Sequence, residues 1–591
     1  MRKQLEQKYE KLFDTYGFER PINAKNINET IRHSLRDFLE KHKNVAIYCN
    51  GGHTKMLMSD FIFELKNIKY IVDNYTGQTI KGGFHLIKDE EIEEEGIDAV
   101  IISSYKFKDG IADNLKKKHP TIQFLDIYAQ LAENGIILHS DYYYSNHPYH
   151  HYHTINSIQR KIEHLDDREE LEKEYVSLIT KYIQIKDFRS AIIYTDKLYK
   201  TSGQKTYRGL LTDLETLYEE EKKAAAQIGE TNVLLFCMDG LRRQDLNEMP
   251  KLTKIFEEKG YLFDNAYSFS TSTYESLIPA YSEDTDLRTE YYKKEFVAEK
   301  DCRFLTEAKR QGRSIYFYTD GFHLIEGEGV HYSGTFQSVT EKWWDFILDA
   351  TEHEHGLYYL HETYESHFTF SNPYTKEKLI SEGTAMLFDY LPQKGGKLRT
   401  NYEQQHLDAL NYLDDVVSPF MDQLKCRTLI YADHGNLVLK EDCTLKEVKD
   451  TNLTCAEEWI RIPYIICSPE MKAGRSDRLI SIMTLNEIVI SMLNKKAYEV
   501  LEHNFIKLAR SELYNPDFRY LYKMMGKEKY LLPFEAFIFA NGYKIVIYSD
   551  GVTELYLSAT DERITDQEQT EKLIEAVHEY ITVCPLEKLV H

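Results

Sequence analysis

Between residues 40 and 140, short apolar runs alternate with amphipathic helical stretches. The runs are Asn44-Val-Ala-Ile-Tyr48, Ile68-Lys-Tyr-Ile-Val72, Asp98-Ala-Val-Ile-Ile102 and Thr121-Ile-Gln-Phe-Leu125. Strands buried on both faces of a parallel sheet have this pattern, so the spacing predicts a Rossmann-like α/β domain over residues 1–145. From 146 to 230 the pattern turns to Glu/Lys/Leu-rich helix without strand signal. Within it, Tyr175-Val-Ser-Leu-Ile-Thr-Lys-Tyr182 and Asp187-Phe-Arg-Ser-Ala-Ile-Ile-Tyr194 resemble one tetratricopeptide hairpin. One such repeat cannot bury its own face, so this stretch is expected to be a helical connector. The run His147-Pro-Tyr-His-His-Tyr-His153 at its start is expected to be a solvated loop.

Residues 231–591 form a third, larger α/β unit, opened by the buried strand Val233–Met238. Near its end, Tyr543–Tyr548, the turn Ser549-Asp-Gly551 and Glu554–Leu557 predict a hairpin. Thr565, with Glu568 three residues on, forms a capping-box pattern that starts a helix over 566–580. Three units suit a chain of 591 residues, which exceeds what a single core supports.

Charge narrows the functional classes. A net charge of −23 opposes a nucleic-acid surface and a polybasic grip on anionic lipid. The N-terminus has no apolar signal region, and no apolar run approaches the ~20 residues of a membrane helix. Eight scattered cysteines without a CxxC pair suit reduced thiols, so the expected location is cytoplasmic.

Candidate chemistry sits where apolar runs end. The first run leads into Cys49-Asn-Gly-Gly-His-Thr54, and the second ends on Asp73. Gly51 and Gly52 at a helix start, with Asp73 about 20 positions on, are candidates to hold a nucleotide's phosphates and ribose. The full GxGxxG pattern is absent, and a scaffold or interaction domain is the alternative. In the third unit, Asp239 follows the strand Val233–Met238. Asp433-His434-Gly435 follows Arg427–Ile430, and Ser366-His367 comes after Leu357–Leu360. A hydroxyl-rich stretch, Ser268-Phe-Ser-Thr-Ser-Thr-Tyr-Glu-Ser-Leu-Ile-Pro279, precedes or opens a helix. A hydroxyl there can be activated by the helix dipole and a metal, but spacing alone does not rank Ser270, Thr271, Ser272 and Thr273.

Asp239, the Thr271 region, Ser366-His367 and Asp433-His434-Gly435 occur in the order that resembles the alkaline phosphatase/sulfatase superfamily. The resemblance is greatest to the phosphoethanolamine and phosphoglycerol transferases, including the lipoteichoic acid synthase type. It spans about residues 231 to 570, where Glu554-Leu-Tyr-Leu557 and Asp561 resemble the family's ending. It implies a mixed sheet sandwiched by helices and a divalent metal held by Asp239, Thr271, Asp433 and His434; mixed carboxylate and imidazole ligands suit Zn²⁺, or else Mn²⁺. It implies Thr271 as the covalent nucleophile and His367 as leaving-group acid or second-metal ligand. Thr271 lacks the Pro and Arg context of formylglycine sulfatases, which makes sulfate-ester hydrolysis unexpected. Where related transferases carry a phosphate-side histidine, Trp459-Ile-Arg-Ile-Pro463 offers Arg461 instead, expected to stabilise charge on a phosphate.

The expected activity is transfer of a substituted phosphate, such as phosphoethanolamine or phosphoglycerol, from a phosphodiester or nucleotide-linked donor to a glycan or small-molecule acceptor. A phosphodiesterase or phosphomonoesterase using water is the alternative within enzymes. A non-catalytic binding or scaffold protein is the alternative outside them.

Overall fold

The structure is a computed structural model. It describes residues 1–591 except 22–23, 52, 55–56, 59–60, 75–83, 137, 139–147, 288–295, 320–323, 334–336, 380–401, 439–453, 513–521, 524–525 and 590–591. The first sheet comprises β1 (Val45–Tyr48), β2 (Tyr70–Val72), β3 (His85–Ile87), β4 (Ala99–Ile102) and β5 (Gln123–Asp126), all parallel, in the order β3-β2-β1-β4-β5. Both faces are covered, as the apolar runs require. Val45, Ile47, Ala99 and Ile101 pack with Ile27, Ile31 and Leu35 of the helix Ala24–Lys41. The alternate residues Ala46, Tyr48, Val100 and Ile102 pack with Ile92, Ile111 and Leu115 on the other side.

The large sheet is mixed and has eight strands. They are β6 (Val233–Met238), β7 (Tyr261–Tyr267), β9 (Ser314–Tyr318), β11 (Val330–Tyr332), β12 (Gly356–Glu362), β13 (Arg427–Tyr431), β14 (Tyr464–Cys467) and β15 (Gly474–Ser481). A short parallel pair, β8 (Val297–Ala298) and β10 (Ile325–Glu326), lies apart from it. The order is β11-β9-β12-β6-β13-β14-β7-β15, and only β14 runs antiparallel to its neighbours. In register, Met238 pairs with Glu362 and Cys237 with Tyr431, so β6, β12 and β13 end at one edge. Because β14 reverses direction on both sides, β7 also ends there. Four loops therefore leave the same edge, which is where α/β sheets bind ligands.

A five-stranded antiparallel sheet closes the chain: β16 (Phe505–Arg510), β17 (Phe534–Phe539), β18 (Tyr543–Tyr548), β19 (Thr553–Leu557) and β20 (Arg563–Ile564). The expected hairpin is β18–β19. The helix after it, Gln567–Val577, is capped by Asp566, which accepts from the Gln569 amide, one residue later than the Thr565 cap expected.

The helices Pro148–Ile162, Arg168–Gln184, Phe188–Ser202 and Lys205–Ala225 do not form a layer of their own. Leu178, Ile183 and Leu214 belong to one continuous core with Val233–Met238, and Leu5, Tyr9 and Phe13 of the first helix, Arg2–Tyr16, join it. Tyr9 and Phe188 place their rings 5.8 Å and 5.4 Å from Trp344. The histidine run also differs from expectation. His147 lies outside the described residues, and from Pro148 onward the chain is helical. Tyr152 and Ile155, one turn apart, are fully buried, which makes this stretch a core face rather than a solvated loop. Among the described residues no helix is long and apolar enough to cross a membrane.

Truncating Phe188 tests this shared core. Phe188→Ala should cost about 3–5 kcal/mol. The loss should appear in urea unfolding followed by tryptophan fluorescence, because all three tryptophans (343, 344 and 459) lie in the larger unit. An unchanged midpoint would mean that the helices unfold on their own.

Candidate metal centre and nucleophile

Asp239 leaves the end of β6 and is 3% exposed. Its Oδ2 faces His361 Nε2 at 3.0 Å, and its Oδ1 faces His434 Nε2 at 3.6 Å and His367 Nε2 at 3.8 Å. Asp433, fully buried at the end of β13, brings Oδ2 to 3.3 Å from the same His434 nitrogen. Thr273 Oγ1 lies 3.4 Å from both Asp239 Oδ2 and His434 Nε2. Two overlapping groups, Asp239–His367–His434 and Asp239–His361–Asp433, each converge within 4.8 Å and share Asp239.

A cation fits this arrangement on three counts. Asp239 Oδ1 and Asp433 Oδ2 are buried without a hydrogen-bond partner, a costly state for carboxylate oxygens unless a positive charge faces them. Each histidine engages Nδ1 elsewhere: His361 with the Tyr359 hydroxyl at 3.1 Å, His367 with the Phe368 carbonyl at 2.8 Å, and His434 with the Gly435 carbonyl at 2.7 Å. Because a carbonyl only accepts, Nδ1 of His367 and of His434 is the protonated nitrogen, which puts the lone pair of the neutral ring on Nε2. Finally, donor atoms held 2.0–2.1 Å from a tetrahedral ion are about 3.4 Å apart, close to the spacings here.

Electrostatics separates the two carboxylates. Burial alone would raise Asp239, but His367, His361 and His434 outweigh it and hold its carboxyl well below the usual range. Burial and the neighbouring Asp239 charge push Asp433 upward. Two acids share one dry site, and only one is stabilised as an anion by histidines alone.

Backbone geometry fixes the donors. Gly240 (φ +72°) donates its amide to Asp433 Oδ1 at 3.0 Å, and a Cβ there would strike the Asn436 side chain. Asn436 in turn donates to the Gly240 carbonyl at 2.7 Å and to the Ser366 carbonyl at 3.2 Å. A Cβ on Gly435 would meet the Glu458 carbonyl oxygen, so only glycine lets the loop after His434 pass. The Glu362 carboxylate accepts the amides of Tyr364 (2.9 Å), Glu365 (2.7 Å) and Ser366 (3.3 Å) and the Ser366 hydroxyl, which winds the chain that presents His367. Ser276 Oγ donates to the Asp433 carbonyl at 2.6 Å and ties the Thr273 helix to the metal-side loop.

Several expected residues take other places. The helix begins at Thr273, with Ser272 as N-cap. Thr273, not Thr271, therefore points its hydroxyl at the cluster from the first helical position, where the dipole is strongest. Thr271 lies half-buried two residues before the helix. Arg461 gives its guanidinium to the Asp264 carbonyl (2.7 and 3.0 Å) and Asn265 Oδ1 (3.0 Å), where it braces β7. In the first sheet Gly51 is exposed, Gly52 lies outside the described residues, and Asp73 accepts the Asn50 amide at 3.0 Å, joining the ends of β1 and β2. His361 escaped the sequence reading because the apolar run Leu357–Leu360 hides that β12 continues to Glu362. A histidine directly after such a run was the available signal.

No family model matches the chain, and no curated protein matches it. Solved members of the alkaline phosphatase superfamily do resemble it. A superfamily protein from Vibrio parahaemolyticus is 12% identical, with TM-score 0.40, covering 60% of this chain and 88% of its own. A phosphonate monoester hydrolase from Silicibacter pomeroyi is 11% identical, with TM-score 0.42, covering 59% and 94%. A lipoteichoic acid synthase from Listeria monocytogenes is 12% identical, with TM-score 0.39, covering 61% and 97%.

Gly435→Ala should displace His434 and weaken Zn²⁺ or Mn²⁺ binding by roughly 10–100-fold, as supporting-shell changes do at metal sites. Calorimetric titration of the metal-stripped protein measures it; wild-type affinity in this variant would show that His434 is not a ligand. Asp433→Asn should lower metal content sharply in the same assay.

Proposed function

We propose that the chain is a metal-dependent phosphoester enzyme that works through a covalent phosphothreonine on Thr273. The observation that carries this reading is the Thr273 hydroxyl, 3.4 Å from both Asp239 and His434 beside two carboxylate oxygens that lack protein partners. Asp239, Asp433 and His434 would hold the ion, with His361 and His367 as further ligands or as proton carriers. Mixed carboxylate and imidazole donors favour Zn²⁺, with Mn²⁺ as the alternative. A divalent ion bound there supplies positive charge that lowers the Thr273 hydroxyl's pKa and offsets charge on a phosphoryl group.

The chain's own residues account for the remaining steps. Thr273 loses its proton to solvent, its Oγ1 forms a bond to phosphorus, and the bond from phosphorus to the leaving oxygen breaks. His367, whose side chain is 37% exposed at the rim, gives that oxygen a proton from Nε2. In the second step an acceptor hydroxyl or water gives its proton back to His367 and bonds to phosphorus, the Oγ1–phosphorus bond breaks, and Thr273 Oγ1 takes a proton from solvent. Ser276 and the helix start keep Oγ1 in place throughout.

We propose transfer rather than hydrolysis as the outcome: a substituted phosphate, such as phosphoethanolamine or phosphoglycerol, placed on a glycan or its precursor. The motif order shared with such transferases supports this. The five-stranded parallel sheet is proposed to recruit a nucleotide-linked donor at the ends of β1 and β2, a place where such sheets bind nucleotides. The proposed location is the cytoplasm, in keeping with seven described cysteines that are all free thiols.

Thr273→Ala should reduce turnover of an aryl phosphodiester by at least ~10³-fold, while Thr273→Ser retains part of it and Thr271→Ala keeps near wild-type rate. Intact-protein mass spectrometry after incubation with a candidate donor should show an adduct that maps to Thr273. A fully active Thr273→Ala variant would remove the covalent mechanism. His367→Ala should slow substrates with poor leaving groups far more than an aryl ester, because only the former need the proton; equal losses would remove His367 as the acid.

A further inference from the structure

A second site lies away from the Thr273 cluster. A cavity of about 750 Å³ sits between the helices Pro148–Ile162, Arg168–Gln184 and Phe188–Ser202 on one side, and the segment 373–376 with the helix Tyr402–Met421 on the other. Its volume is in the range of small-molecule sites. Four cations, Arg160, Arg189, Lys197 and Lys376, meet three carboxylates, Glu163, Asp408 and Asp415, in a chain whose overall charge is −23.

Arg189 is committed: it pairs with Asp415 at 2.9 Å and donates to the Tyr374 hydroxyl at 2.6 Å. The other three cations form no ion pair among the described residues, and Arg160 keeps a buried Nε without a hydrogen-bond partner. An arginine nitrogen removed from water and left unpaired is costly, and an anion entering the cavity would relieve it. Beside the apolar Ile162, Ile193 and Pro373, the lining carries groups that both donate and accept. Gln159 bridges the Tyr182 and Tyr194 hydroxyls at 2.9 and 2.8 Å, and Asn411 and Asp408 lie across from them.

That mixture of hydroxyls, amides and a carboxylate matches a polyol better than a planar base. A base would need an open aromatic face. The Tyr194 ring already stacks on Tyr182 (5.5 Å, 15° between planes) and carries the Lys197 amine 4.5 Å from its centre. We infer that this cavity binds a saccharide bearing an anionic group, a phosphate or a carboxylate. The anion is held by Arg160, Lys376 and Lys197, and the hydroxyls are held by the Gln159–tyrosine network and Asp408. The inference is independent of the chemistry at Thr273. The two sites are linked in sequence: Pro373 and Tyr374 follow Asn372, which accepts the Tyr374 amide at 2.8 Å and donates to the Phe370 carbonyl at 2.9 Å, just beyond His367.

Isothermal titration of the full-length protein, stripped of metal with EDTA so that the Thr273 cluster does not contribute, tests this. Glucose 6-phosphate or glucuronate should bind at about 1 mM or tighter, with glucose and inorganic phosphate each at least about tenfold weaker. Which of the two anionic sugars binds more tightly identifies the charged group. Arg160→Gln and Lys376→Gln should each weaken that binding at least about fivefold. Lys376 is exposed, so its variant separates lost contact from lost folding. No binding of either anionic sugar, or binding indifferent to both variants, overturns the inference. Inorganic phosphate binding as tightly as the sugar phosphate reduces the cavity to an anion site and overturns the saccharide. Tighter binding of adenosine 5′-monophosphate with the same dependence on Arg160 makes it a nucleotide site instead.

Discussion

Two carboxylates buried side by side at the end of a parallel sheet set the terms for the rest of this molecule. Asp239 and Asp433 sit on adjacent strands, almost without solvent, and each keeps an oxygen that no protein donor reaches. Such a pair repels itself and loses hydration, and it persists only where positive charge is supplied. Three histidines turn Nε2 towards Asp239. As a receptacle for a cation the pair would be relieved of both costs.

Holding the receptacle open demands precision from loops, which are ordinarily the least constrained parts of a fold. Here each loop is tied to another. Asn436 joins the loops after β6 and β12, Gly240 caps Asp433, Ser276 binds the helix of Thr273 to the strand end of Asp433, and Glu362 gathers three amides beneath His367. The network is cross-linked through backbone groups, so a change at one glycine is felt at ligands on other strands. Side chains on loops gain in this way the positioning that regular elements would otherwise give.

The helical segment takes part in this order. The Tyr152 hydroxyl donates to Glu365, which also accepts the Val339 amide at 3.0 Å, two residues before His367. A helix that reads as a connector by sequence thus reaches the loop that presents a candidate proton donor. The same helix lines the cavity proposed for an anionic saccharide.

The sequence by itself determined most of the buried strands, though not the helix at Pro148–Ile162 or the end of β12. Apolar runs marked the parallel first sheet and the centre of the mixed one, because residues buried on two faces leave no polar alternation, and Asp239 and Asp433 follow two of those runs at one sheet edge. What it left undecided was every question of direction. Four adjacent hydroxyls are equivalent by spacing, and the helix start at Thr273 selected one of them. Arg461 is a plausible phosphate ligand until the antiparallel β14 turns the neighbouring chain and gives it the Asp264 carbonyl. His361 counts as the tail of an apolar run until pairing with β6 sets it beside Asp239. Hydrophobic pattern is a local property and survives in one dimension. Which side chain faces which depends on strand order and register, and only the folded chain supplies these.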